Sequence, residues 1–129
     1  MAELIMGFDF GTTRIGVAVG QRITASASSV AVIRARDGKP DWQALDSLVT
    51  EWQPSLFVVG LPLNMDGTMS EMAEAAMKFA RRLMGRYQVP HEMMDERLST
   101  FEARQLEDDT SALDATAAKL ILESWLGTQ

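Results

Sequence analysis

"GFDFGTTRIGVAVG", residues 7–20, is an apolar run broken by one carboxylate, Asp9, and then by a glycine–threonine turn. Two kinds of machine use such an arrangement. A nucleotide-hydrolysing fold wants an acid, a glycine and hydroxyls in a hairpin that grips phosphate. A metal-dependent nuclease wants a carboxylate fixed on a central strand. In either case the stretch reads as two strands, 3–10 and 14–20, joined by a tight Gly11-Thr12-Thr13 connection. Residues 23–33 (ITASASSVAVI) alternate small polar with apolar side chains and extend the pair into a three-strand antiparallel meander.

Working outward, Pro40-Asp41 opens a helix that carries Trp42, Leu45, Leu48, Val49 and Trp52 at helical spacing. Residues 55–60 (SLFVVG) form a short, wholly apolar run between helices, the pattern of a buried parallel strand. Thr68 and Glu71 suit a capping box for a helix over 70–87. Residues 89–94 make a fifth strand that ends at Asp95-Glu96-Arg97. Ser99 or Thr100 then caps a helix from Phe101 to Leu106, residues 107–112 form a loose polar stretch, and a last helix spans Leu113 to Leu126. The order β-β-β-α-β-α-β-α-α predicts an α/β fold. Its sheet is mixed and five-stranded, a three-strand meander plus βα units, with helices on both faces. Such sheets place ligands at their strand ends.

The chain has 129 residues, enough for one domain (1–129) with a true core. Its 47% apolar and 23% charged content excludes a disordered chain. Cysteine is absent, which excludes disulfides and thiolate zinc sites. No window approaches the ~20 apolar residues of a membrane span, and the start lacks a basic signal region. The expectation is therefore a cytoplasmic protein with no membrane partner. A net charge of −6 argues mildly against nucleic acid, but distribution outweighs the sum. Lys78, Arg81, Arg82, Arg86, Arg97 and Arg104 fall in one stretch, apart from the acidic Glu107, Asp108 and Asp109. Arg81, Arg82 and Arg86 are the candidates there for contact with RNA.

Three acids stand where an acid is expensive. Asp9 is embedded among Leu4, Ile5, Met6, Phe8, Ile15, Val17 and Val19, so it needs a donor, a cation or a metal. Capping the Gly11–Thr13 turn is the plain alternative. Glu96 closes the fifth strand. If the strand continues, Asp95 and Glu96 point to opposite faces, so at most one of them shares a site with Asp9. The plain alternative is an exposed Glu96 paired with Arg97. Asp114 begins a helical stripe with Ala118, Ile121 and Trp125, which turns it toward the sheet. It also fits a Ser111-x-x-Asp114 capping box, and the two roles are compatible. If the three carboxylates converge, they repel one another unless cations neutralise them. Hard oxygen ligands of this kind suit Mg²⁺ or Mn²⁺. Two such ions ~4 Å apart can activate water and stabilise the leaving oxygen of a phosphodiester.

Four blocks carry a family resemblance: DFGTTRIGVAV (9–19), GLPLNMDGT (60–68), DERLST (95–100) with Glu102-Ala103, and D-x-x-A-A-x-x-I-L (114–122). In this order and nearly end to end, they resemble the YqgF/RuvX family of the RNase H-like, Holliday-junction-resolvase-like superfamily. The resemblance implies an RNase H-like fold and a cytoplasmic nuclease that matures the 5′ end of pre-16S rRNA on a 30S precursor. Branched DNA is the competing substrate. It also implies that Asp9, Glu96 and Asp114 are the catalytic, Mg²⁺- or Mn²⁺-holding acids. Arg14 and Arg97 are implied as phosphate contacts, since a guanidinium grips two oxygens at once. Gly60, Asn64, Asp66 and Gly67 would shape a loop beside the site, with Asn64 near the substrate, and Thr100 would cap its helix or touch a phosphate.

Two readings of other kinds stay open. A non-catalytic nucleic-acid-binding protein needs no metal cluster. A nucleotide-binding ATPase or sugar-kinase-like domain shares the Asp-x-Gly-Thr-Thr hairpin, but it needs a second domain and a second phosphate hairpin to clamp its nucleotide. The lone His91 and the methionines of 65–94 read as structural.

Overall fold

The computed structural model describes residues 3–98 and 110–129, and only the backbone at Leu98 and 110–115. Its strands are β1 (Ile5–Asp9), β2 (Arg14–Gln21), β3 (Ser26–Arg36), β4 (Lys39–Pro40), β5 (Leu56–Leu61) and β6 (His91–Asp95). They lie in the order β4-β3-β2-β1-β5-β6. The meander is antiparallel, and β5 and β6 join it in parallel. The fold is thus the expected mixed sheet, with six strands in place of five.

The extra strand has a clear cause. Asp37 (φ 51) and Gly38 (φ 79) both take positive φ, the backbone of a two-residue hairpin turn whose twist matches its flanking strands. Arg36 therefore pairs with Lys39 and Ala35 with Pro40. The same register moves β3 three residues along, to 26–36 from the expected 23–33, because residues 22–25 are spent on a turn closed at Ala25 (φ 52).

Helices α1 (Trp42–Trp52) and α2 (Glu71–Tyr87) cover one face, and α3 (Thr110–Gly127) covers the other. Asp41 caps α1 by accepting from the Ala44 amide, and left-handed Gln53 ends it before Pro54. Ser70, not Thr68, caps α2 through the Ala73 amide, while its own hydroxyl donates to the Pro62 carbonyl. Helix α3 begins at Thr110, so Ser111 lies inside it and the expected cap at 111 does not form its start. The stretch 110–112 is helical, not loose. Thr100, Glu102, Ala103 and the expected 101–106 helix lie outside the described residues, as does the side chain of Asp114. Among the described residues no helix is long and apolar enough to cross a membrane.

Strand alternation feeds both layers. Met6, Phe8, Val17, Ile33, Phe57 and Val59 pack with Leu45, Phe79 and Leu83 under α1 and α2. Phe8 and Phe79 meet edge-on at 5.4 Å between ring centres, a geometry that adds to simple burial. On the opposite face, Ile5, Ala18 and Val58 meet Ala118, Ile121, Leu122 and Trp125. Glycine at residue 7 lets α3 approach closely, since a Cβ there would sit 2.9 Å from Cβ of Leu122.

Candidate active site

Asp9 is the last residue of β1 and is half-buried. Its neighbours Met6 and Phe8 face α1 and α2, while Ile5 and Gly7 face α3, so alternation puts Asp9 on the α3 face. It pairs with Gly16 of β2, a position without a side chain to crowd it. The turn that follows demands glycine: a Cβ on Gly11 would lie 2.5 Å from the Arg14 carbonyl oxygen.

Glu96 reaches the same end by a different route. Strand β6 stops at Asp95, and residues Glu96–Leu98 form a 3₁₀ turn. Asp95 fixes that turn by accepting from the Arg97 amide (2.9 Å) and from its Nε (3.1 Å) and Nη2 (2.7 Å). The hydrogen bonds from Arg97 hold the Asp95 carboxyl below the ordinary aspartate range. Glu96 is thereby folded back over β5. A Cβ on Gly60 would sit 3.1 Å from both Cγ and Cδ of Glu96, and 2.6 Å from Ile121 Cδ1 on α3. Val59, just before Gly60, neighbours strand β1 near Phe8, just before Asp9. Asp9 and Glu96 therefore stand on one face, at one end, on adjacent stretches of the sheet. Asp95, its alternative in sequence, is occupied with Arg97.

The third acid approaches on α3. Leu126 lies near Gly20, the partner of Ile5, and Leu122 lies against Gly7, so the helix runs antiparallel to β1. Its earlier turns lead toward the Asp9 end. Position 114 is eight residues before Leu122, roughly 12 Å along the axis.

The loop 61–70 is a tied structure. Asn64 donates its amide side chain to Thr68 Oγ1 (2.9 Å), and Gly67 (φ 88) closes the turn by donating to the Asn64 carbonyl. Asp66 accepts from the Thr68 hydroxyl and amide, which lowers its pKa. Arg97 Nη1 donates to the Met65 carbonyl at 3.3 Å and so ties the loop to the end of β6. Arg97 and Asn64 are thus engaged within the protein, holding the loop. Arg14, half-buried at the start of β2, lines a concavity of about 500 Å³ with Thr13, Val32, Arg34 and Ala35.

Other expected features fall elsewhere. Arg86 is committed to Asp46 through Nε (2.8 Å) and Nη2 (2.7 Å), and it stacks over Trp42. His91 pairs with Phe57, at the far end of β6 from Asp95. Sequence reasoning passed over Arg34, Arg36 and Lys39. Their signal was the Asp37-Gly38 dipeptide, which extends the Arg34-x-Arg36 alternation into a hairpin.

A mixed sheet of this order, with Asp9 at the end of β1 and Glu96 folded over the end of β5, has the layout of an RNase H-like nuclease. The comparisons agree. Among solved structures, T. thermophilus RuvC in complex with a Holliday junction substrate matches with a TM-score of 0.59 at 12% identity, covering 98% of this chain and 94% of that one. The fowlpox virus Holliday junction resolvase gives 0.55 at 12% identity, over 98% and 99%. These distant likenesses show the fold. The RuvX family model, described as Holliday junction resolvase, matches residues 3–128. The chain belongs to that family. Relatives named "Putative pre-16S rRNA nuclease" include one from Azotobacter vinelandii, 53% identical over 96% of this chain and 93% of its own length. Another, from Serratia proteamaculans, is 52% identical over 97% and 95%. Membership in a nuclease family displaces the nucleotide-clamp reading of the Asp9 hairpin.

Proposed function

We propose that the chain, as one domain spanning residues 1–129, is a divalent-metal-dependent nuclease that trims the 5′ end of pre-16S rRNA in the cytoplasm. One observation carries this reading. The Glu96 carboxyl rests on Gly60, on the face and at the end of the sheet where Asp9 stands. The choice of rRNA as substrate is supported by the name carried by relatives at about half identity over nearly the whole chain.

The donors suit a hard cation. Carboxylate oxygens from Asp9 and Glu96 prefer Mg²⁺ or Mn²⁺, and glycine at 60 leaves the space that the Glu96 carboxyl fills. Among the described residues no group of three ligating side chains assembles; Asp114 is the proposed third ligand. Bound there, the metal supplies Lewis acidity to an attacking water and to the leaving oxygen of the phosphodiester. The protein's part is positional. Asp95 and Arg97 hold Glu96 in its turn, and Arg97 with Asn64 fixes the loop beside it. Arg14 is proposed as a phosphate contact, and so is Thr100 on the family motif alone.

The test is cleavage of a 5′-extended 16S precursor beside a four-way DNA junction, in Mg²⁺ and in Mn²⁺. The wild type is expected to cut the RNA, and Asp9→Asn, Glu96→Gln and Asp114→Asn to fall to background while remaining folded. Full activity in Asp9→Asn would sink the assignment of the acids. Cleavage of the junction alone would replace the RNA reading with that of a resolvase.

A further inference from the structure

The α3 face of the sheet continues past Asp9 as a row of cations. Arg14 and Arg34 are direct cross-strand partners on β2 and β3, and Arg36 and Lys39 are direct partners on β3 and β4. Ile15 and Ile33 point to the other layer, and Ala35 packs against it, so alternation puts Arg14, Arg34 and Arg36 on the Asp9 face, with Lys39 beside Arg36 at the sheet edge. Asp9, Gly16 and Val32 form one row across β1, β2 and β3. The Arg14–Arg34 row comes next, about 7 Å further along the strands. Like charges set directly opposite each other destabilise a sheet, and here two such pairs adjoin. Arg34, Arg36 and Lys39 are exposed, and among the described residues none of the three forms an ion pair. The one acid within the hairpin is Asp37, at its tip. The ledge is also fastened to the Asp9 turn: the Ala35 amide donates to the Thr13 carbonyl (2.8 Å) and the Gly38 amide to that of Thr12 (2.9 Å).

We propose that this β2–β3–β4 ledge carries the sugar-phosphate backbone of the RNA strand toward Asp9, with Arg34, Arg36 and Lys39 as its phosphate grips. The inference rests on the nuclease reading above. A phosphodiester chain supplies regularly spaced negative charge opposite the exposed Arg34, Arg36 and Lys39, and a guanidinium grips a phosphate through two oxygens. Arg34 and Arg36 lie on the opposite face from α2, while Lys39, on the edge strand, lines a cavity with Lys78 and Arg82 of α2.

The experiment measures binding of a fluorescent 5′-extended 16S precursor fragment and of a four-way DNA junction across a KCl series. The Asp9→Asn chain in Mg²⁺ is the parent, so the nucleic acid stays intact. Adding R34Q, R36Q and K39Q together is expected to weaken RNA binding at least tenfold at low salt. It should also flatten the log–log salt dependence by about 2, at roughly 0.7 per phosphate contact of a single strand. The melting temperature should hold or rise, because cross-strand repulsion is removed. Arg81→Gln with Arg82→Gln should change affinity by less than twofold. If the ledge variant binds RNA as the parent does, or the α2 pair loses as much, the ledge is overturned while RNA cleavage by the wild type leaves the nuclease reading standing. Ledge-dependent binding of the junction alone keeps the ledge and overturns the RNA substrate. A parent that binds neither overturns both.

Discussion

A methyl group on residue 60 would lie 2.6 Å from Ile121 Cδ1 and 3.1 Å from Cγ and Cδ of Glu96. The isoleucine tip can rotate away, but the carboxyl can only move off its place above β5. Gly60→Ala is therefore expected to cost about 1–3 kcal/mol, as overpacking does, read by urea unfolding. Precursor cleavage should fall further than that loss explains. Adding Ile121→Val removes the Cδ1 contact and should return the stability without the cleavage. A double variant that regains both would show that the place of Glu96 does not matter. At this scale Asp9 was legible, because a carboxylate inside an apolar run is conspicuous. The choice between Asp95 and Glu96 was not. It depends on where β6 stops, and that is settled by Asp95 accepting from three nitrogens of Arg97.

Between elements, Asp46 of α1 is the joint to α2. Arg86 donates to both its oxygens, and the Tyr87 hydroxyl donates at 2.6 Å. The Arg86 hydrogen bonds first, and that of Tyr87 second, hold its carboxyl at about 2 in place of the usual 3.8. Burial and the same carboxylate push the Tyr87 phenol above its ordinary range. A depressed acid stabilises the fold above its unfolded pKa and loses that contribution as pH falls through the folded value. The stability gap between wild type and Asp46→Asn should thus be constant above pH 5 and close between about pH 4 and 2. A gap unchanged at pH 2 in equilibrium unfolding would refute the joint. The spans of α1 and α2 were legible from 3.6-residue periodicity, and Asp41 marked the start of α1. The exchange of Thr68 for Ser70 as the α2 cap was not, because both hydroxyls lie at workable spacing. Thr68 is instead taken up by Asn64 and Asp66 inside the loop.

Over the whole molecule, a net charge of −6 conceals an ordered division of sign on one sheet face. Acids stand at the ends of β1 and β6, and cations run along β2, β3 and β4. Apart from β4, the order of the described elements and both core layers could be inferred from the sequence. The division of sign could not, since it depends on which residues become neighbours across strands, a non-local fact. Arg14 and Arg34 are 20 positions apart and become partners only once the register is fixed. If the acids hold the metal and the cations the RNA, as proposed, this division separates the two affinities, and each can be measured independently. A ligand that binds only the folded state at a hundredfold excess over its Kd stabilises by about 2.7 kcal/mol. For a chain of this length that amounts to a rise in melting temperature of roughly 10 °C. Mg²⁺ or Mn²⁺ should raise the melting temperature of the wild type and of the R34Q, R36Q, K39Q variant alike. Asp9→Asn and Glu96→Gln should melt at the same temperature with metal as without it. If either acid variant kept the full rise, the cation would be seated elsewhere on the molecule, and the carboxylates at this end of the sheet would need another explanation.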